Sequence, residues 1–301
     1  MIIVKDLKKN YRKKCALKGV SFSVSQGVTG VLGPNGSGKT TLFRILAGIL
    51  GQSGGEIYFR DKNGVAVSAE GFRIRYISQA FGLIPDYTLW EHMEYFACLK
   101  GLEKGEWQVE IEQALEAVHL SDEKGTKCRK LSGGMVRRAG IAQTLLGRPD
   151  LILLDEPTVG LDPEERLRFQ DIIRERKVQC PVLLATHLIE DVMELCNQAL
   201  VLSKGELLFH DEIEKLASLA EGRVYLLPEE EFARCKERGM KVKNQYGEDS
   251  RQQVRFLRLD ETKADQTSVE SVLEKARPVP PQIEDGYLYL LRTQEKRQNV
   301  G

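Results

Sequence analysis

Apolar positions recur along this chain in distinct rhythms, and each rhythm predicts a different element. Near the start, IIVKDL and VSFSV mix apolar and polar residues as strands do, with Tyr11 between them and Gly27 and Gly30 as punctuation. VTGVL at 28–32 is a short apolar strand, and after a glycine-rich stretch TLFRILAGIL places Leu42, Ile45, Leu46 and Ile49 at helical spacing. From about 83 to 148 helices dominate. Thr88 and Glu91 form a capping box ahead of LWEHMEYFACL, whose Leu89, Met93 and Phe96 share one face, and Trp107, Ile111, Leu115 and Val118 repeat the pattern. From 151 two nearly unbroken apolar runs, LILL and VLLAT, predict strands buried on both faces of a parallel sheet, because a half-exposed strand would alternate. Between them Asp162 stands as N-cap, Pro163 at the first helical position and Glu165 three residues past the cap, which predicts a helix start. The pattern is an α/β frame carrying an all-helical insertion.

After about 218 the texture changes again and becomes charge-rich. RVYLL and QQVRFLRL are strand-like and EEEFARCKERG and SVESVLEKA helix-like, in a rough βαββα order, with PVPP at 278–281 as a break before YLYLLR. This predicts a main domain over 1–218 and a small appended α+β domain over 219–301.

Composition narrows the partners. The 301 residues hold 44 basic and 44 acidic side chains, with 42% hydrophobic and 29% charged residues, so neither disorder nor a polyelectrolyte partner is indicated and no nucleic acid is expected. The six cysteines are scattered without a CxxC pair, and the opening MIIV is strand-like rather than a leader, so reduced thiols in a cytosolic protein are expected. No apolar run reaches the roughly 18 residues that span a bilayer, so a membrane role would come through a partner.

The candidate chemistry sits where the frame predicts strand ends. GPNGSGKT at 33–40 follows a strand and opens a helix, the context in which Gly33, Gly36 and Gly38 let backbone N–H groups approach a polyphosphate. Lys39 adds a charge near the β- and γ-phosphates, and the Thr40 hydroxyl can sit on Mg²⁺. Asp155 and Glu156 end the LILL strand, where ligands collect at the carboxyl edge of a parallel sheet. Adjacent carboxylates there favour a cation, which assigns Asp155 to Mg²⁺ and leaves Glu156 as general base for the attacking water. His187 closes VLLAT on the same edge and can orient that water by donating to the γ-phosphate; a histidine at a strand end is also commonly only a satisfied polar residue. Gln79 follows the strand-like IRYIS and begins the helical insertion, where its amide can meet Mg²⁺ and the water; alone it is equally a surface glutamine. Tyr11 suits stacking on a flat base, with a plain core or surface role as the alternative.

Taken with LSGGM at 131–135, these strings resemble the ATP-binding cassette (ABC) ATPases over residues 1 to about 218. The resemblance implies an α/β fold, a P-loop NTPase of the ABC nucleotide-binding type with an all-helical subdomain, followed by the small C-terminal domain. It implies ATP and Mg²⁺ as cofactors and gives the residues their family roles. Tyr11 becomes the adenine-stacking aromatic, and Gly33, Pro34, Asn35, Gly36, Ser37, Gly38, Lys39, Thr40 and Thr41 the Walker A loop. Gln79 becomes the Q-loop glutamine, Leu151 to Glu156 Walker B, Gly160 to Asp162 the D-loop and His187 the switch histidine. Ser132, Gly133 and Gly134 of the signature would close over ATP held by the opposite chain, so a second ABC ATPase chain, identical or paralogous, is an expected partner. Met135 departs from the family's usual glutamine. FGLIPDYTLWEHMEYFACLKGL and PPQIEDGYLYLL resemble the exporter-type branch, whose permease is a separate polytopic membrane protein, and this implies a cytoplasmic subunit held peripherally at the membrane. Rival readings are a soluble ABC ATPase acting on ribosomes or DNA, an ATP-gated regulator without turnover, and a P-loop small-molecule kinase, the last disfavoured by LSGGM.

Overall fold

In the computed structural model the chain opens with β1 (Ile2–Tyr11) and β2 (Lys14–Val24), an antiparallel pair, and runs on into β3 (Val28–Leu32). The described residues are 1–12, 14–61, 63–176, 180–235, 239–246, 252–259 and 276–299. All of β3 is buried, and the glycine-rich loop after it leads into α1 (Lys39–Leu46), which buries Leu42, Phe43, Ile45 and Leu46. The helix is shorter than its apolar spacing predicts. Gly48 takes φ +73° just past the Ala47 C-cap, and Ile49 is left 65% exposed instead of joining the buried face. β4 (Gly54–Arg60) and β5 (Ala66–Val67) complete an antiparallel sheet of order β2-β1-β4-β5.

A second sheet supplies the site. Its strands are β3, β6 (Ile74–Ile77), β7 (Leu151–Asp155), β8 (Val182–Thr186), β9 (Gln198–Ser203) and β10 (Glu206–Glu212), in the order β10-β9-β3-β8-β7-β6. The pairs β9–β3, β3–β8, β8–β7 and β7–β6 are parallel. Every residue of β7 and β8 is buried, which is why LILLD and VLLAT lack polar alternation. Register decides what meets at the sheet's carboxyl edge. Leu32 pairs with Thr186 and Asp155 with Ala185, so Gly33, His187 and Glu156 leave three neighbouring strands side by side.

Between β6 and β7 lie α2 (Leu89–Leu99), α3 (Trp107–Glu116) and α4 (Gly133–Leu145), the helical insertion. The capping box forms, with Glu91 N–H donating to Thr88 Oγ1 at 3.2 Å and Thr88 N–H to Glu91 Oε2 at 2.7 Å. α2 buries Leu89, Met93 and Ala97, while Phe96 stands half-buried at the margin of that face. After β7 come α5 (Pro163–Arg176), capped by Glu165 N–H donating to Asp162 Oδ1 at 2.9 Å, and α6 (Ile189–Leu195), which follows β8.

The chain divides into two units, Met1–His210 and Asp211–Gly301, earlier than the division expected at 218. The reason is α7 (Glu214–Ser218), which belongs to the second unit through α9 (Ile283–Asn299). A Cβ on Gly286 of α9 would lie 1.7 Å from the Leu216 carbonyl oxygen, so only glycine allows the helices this approach. The second unit also holds β11 (Val224–Pro228), α8 (Glu229–Cys235), β12 (Gly239–Tyr246), β13 (Gln252–Arg258) and β14 (Arg277–Pro278), with an antiparallel sheet of order β12-β13-β11-β14. The helix expected over EEEFARCKERG is described to Cys235, and Gly239 already begins β12. The helix expected over SVESVLEKA lies, except for Ala276, outside the described residues.

Candidate functional site

The carboxyl edge of the parallel sheet opens into a cavity of about 410 Å³ lined by Tyr11, the loop residues Asn35 to Thr41, Gln79, Glu156 and His187. Lys14, Ala16 and Val159 line it as well. Glycines shape the loop: a Cβ on Gly33 would lie 2.2 Å from the Leu202 carbonyl oxygen, and Gly38 takes φ +117° with the Ala16 carbonyl oxygen 2.8 Å from its Cβ position. The loop ends at the N-terminus of α1, where unpaired backbone N–H groups and the helix dipole favour an anion.

Lys39 is 6% exposed, and its ammonium donates to the Gly33 carbonyl at 2.6 Å. Burial pulls its pKa below the ordinary lysine value, and the nearby Glu156 carboxylate opposes that shift. Glu156 Oε1 stands 3.5 Å from the ammonium and Oε2 accepts from His187 Nδ1 at 2.8 Å. Glu156 itself takes φ +52°, a left-handed conformation unusual for a side chain, held by its N–H donating to the Ala185 carbonyl at 2.8 Å. That turn swings the carboxylate off the strand axis and into the cavity.

Asp155 lies beneath, 1% exposed. Thr40 Oγ1 donates to its Oδ1 at 3.3 Å and Tyr76 Oη to its Oδ2 at 3.1 Å. Burial raises the Asp155 pKa against the pull of these two donors, and burial pushes that of Tyr76 up to about 12. Tyr76 escaped the sequence reading. Its signal was strand periodicity, since it pairs with Leu153, which shares a sheet face with Asp155. Lys14 was missed too, and nothing local in KKCAL marks it.

The motif residues are not all brought together. Gly33 and Pro34 lie behind the cavity lining and act through their carbonyls on Lys39. Ser132, Gly133 and Asp162 are exposed and do not line the cavity, nor does the buried Gly134. Ser132 caps α4, its Oγ accepting from the Met135 N–H at 3.2 Å. Gly134 is pressed by Glu165 of α5, whose Cδ would lie 2.3 Å from a Cβ there, and Glu165 also pairs with Arg138 at 3.2 Å. The helix starts at LSGGM and at Asp162 are therefore braced against each other. The Gln79 carbonyl accepts from Arg137 of α4 at 3.0 Å, which ties the cavity wall to the signature helix.

The sequence profile of the family described as ABC transporter matches residues 17–159. The linearmycin resistance ATP-binding protein LnrL of Bacillus subtilis is 32% identical over 214 residues, covering 69% of this chain and 68% of that protein. The chain belongs to the ABC transporter family, as an ATP-binding subunit. The Nod factor export ATP-binding protein I of Ralstonia nicotianae is 34% identical, covering 68% of this chain and 65% of that protein. A solved ATP-binding subunit of an ABC transporter superposes with a TM-score of 0.63 at 26% identity, covering 72% of this chain and 92% of that one. The similarity lies in the cassette. Among the described residues no helix is long and apolar enough to cross a membrane.

Proposed function

We propose that this subunit hydrolyses ATP with Mg²⁺ in a two-cassette dimer and drives a separate polytopic permease, as an exporter, from the cytosolic face of the membrane. The observation that carries the reading is the division of the motif residues. Lys39, Glu156, His187, Gln79 and Tyr11 share or line one cavity, whereas Ser132, Gly133 and Asp162 stand exposed outside it. The capped start of α4 is a second anion site without a ligand-binding wall of its own. A second cassette facing the first brings that site over the bound nucleotide.

The residues then divide the chemistry. Tyr11 takes the adenine face, and the loop N–H groups with Lys39 hold the phosphates. Glu156 accepts the proton of the attacking water, a role that asks for an ionised carboxylate within reach and sheltered from bulk solvent. In the arrangement seen, His187 spends its Nδ1 hydrogen on Glu156, because a carboxylate only accepts. Donation to a γ-phosphate therefore requires that bond to be exchanged, or the ring to be protonated, when nucleotide enters. Thr40 and Asp155 present a hydroxyl and a carboxylate oxygen 3.3 Å apart, hard donors of the kind Mg²⁺ takes beside phosphate oxygens. Mg²⁺ commonly takes one or two protein oxygens beside phosphate oxygens and water, so this pair suits an ion shared with the nucleotide. When bound, the ion would neutralise charge on the β- and γ-phosphates. The Gln79 amide completes that side of the cavity.

Export is supported by the relatives named for linearmycin resistance and Nod factor export. The balance of 44 basic and 44 acidic residues gives no reason to propose a nucleic-acid partner. Two measurements test the proposal. Glu156→Gln protein with ATP should run as a dimer in light scattering, and a monomer at saturating ATP refutes the sandwich. The tagged chain should recover a polytopic membrane protein from detergent extracts; recovery of ribosomes instead refutes the transport role.

A further inference from the structure

Asp155 is held from two sides, and only one of its holders belongs to a motif. Thr40, on the loop and α1, donates to Oδ1; Tyr76, on β6, donates to Oδ2. Tyr76, Asp155 and Thr40 thus form a chain that runs from β6 through the end of β7 to α1. Tyr76 reaches Asp155 because β6 pairs with β7 in parallel, Tyr76 opposite Leu153, so Tyr76 and Asp155 lie on one sheet face two residues apart in register. β6 is the edge strand, and three residues past Tyr76 the chain delivers Gln79 to the cavity wall.

Resting on the assignment of Asp155 to the metal, we propose that Tyr76 is a positioning residue: its hydroxyl fixes the rotation of the Asp155 carboxylate so that Oδ1 stays beside Thr40, facing the metal. Once the backbone and the staggered χ1 of an aspartate are set, its broad χ2 torsion is the freedom that remains. A donor on Oδ2 removes that freedom, and the pair of oxygens seen at Thr40 and Asp155 is the consequence. The same hydroxyl couples the metal ligand to the strand that carries Gln79, so the two groups assigned to the ion move on one support.

The test uses the full chain with Mn²⁺ as probe and a non-hydrolysable ATP analogue, read by electron paramagnetic resonance. Tyr76→Phe keeps the ring and removes the donor. It should bind Mn²⁺ about 10-fold more weakly, as expected for loss of one hydrogen bond to a charged group, with an altered Mn²⁺ spectrum. Affinity for the analogue in EDTA should stay at the wild-type level. In an Asp155→Asn background the same substitution should change nothing further. Wild-type Mn²⁺ affinity in Tyr76→Phe overturns the proposal, and so does a parallel loss of metal-free nucleotide binding, which marks a merely structural role. If Asp155→Asn alone binds Mn²⁺ like wild type, the metal assignment fails and Tyr76 loses its role with it.

Discussion

Each unit of the chain buries an ion pair, and the two are built differently. In the first unit Lys39 and Glu156 are 6% and 7% exposed, yet their closest approach is 3.5 Å and neither is saturated by the other. Lys39 gives its best bond to a carbonyl, and Glu156 turns its second oxygen to His187. In the second unit Arg255 and Asp285 are 5% and 0% exposed and interlock. Arg255 Nε lies 3.1 Å from both carboxylate oxygens, Nη2 donates to Oδ2 at 2.6 Å and to the Pro280 carbonyl at 2.7 Å, and the Gln282 N–H donates to Oδ2 at 2.6 Å. The first pair borders a cavity and keeps bonding capacity for a ligand; the second has spent its capacity on joining β13 to the start of α9. A buried charge left partly unmatched beside a cavity marks a working site, and a saturated one marks architecture.

Substitutions can break this contrast. The largest effect is expected at Glu156→Gln, which keeps shape but removes the carboxylate proposed as base: ATP turnover should fall about 10²- to 10⁴-fold, measured as phosphate release, with nucleotide binding retained. Unchanged turnover would make this pair as structural as the other. Asp285→Ala should destabilise the second unit by about 3–5 kcal/mol by stranding the Arg255 charge, seen in denaturant unfolding, while ATP affinity stays the same. Replacing both partners, Arg255→Met with Asp285→Leu, should return most of that stability, as a purely architectural pair allows. Lys39→Ala should weaken ATP binding about 10²-fold, from loss of the buried charge proposed to hold phosphate, in equilibrium titration.

The smallest effect concerns Lys100, a half-buried residue just past α2 whose ammonium donates to the Gln143 carbonyl. Burial and the Arg75 charge bring its pKa down from 10.5 to about 7. Between about pH 7 and 10.5 the unfolded chain holds a proton that the folded chain has released, so this group makes stability rise with pH across that window. Below it both states are charged and the desolvation cost is fully felt. Lys100→Met should raise the melting temperature at pH 7 and flatten the rise between pH 7 and 9. An unchanged slope would show the ammonium to be better solvated than its burial implies.

Much of the molecule was legible beforehand. Unbroken apolar runs gave β7 and β8, Thr88 with Glu91 gave the start of α2, and Asp162, Pro163 and Glu165 gave the start of α5. Each is a local property, decided by residues within a few positions of one another. Ile49 falls outside α1 because a glycine two residues past the helix end outweighs apolar spacing, and α7 groups with the second unit because it packs on a helix far along the chain.

Which groups are present, and on which strand ends they stand, follows from local pattern, because periodicity and caps act over one or two turns. The LSGGM residues also stand apart from the phosphate loop along the chain. That Glu156 turns left-handed to meet His187, that Tyr76 holds Asp155 and that Arg255 locks onto Asp285 became visible only in the folded chain. Those contacts depend on register and side-chain direction between segments tens of residues apart; on a strand, a shift of a single position would point Tyr76, Asp155 or Arg255 to the other face of its sheet.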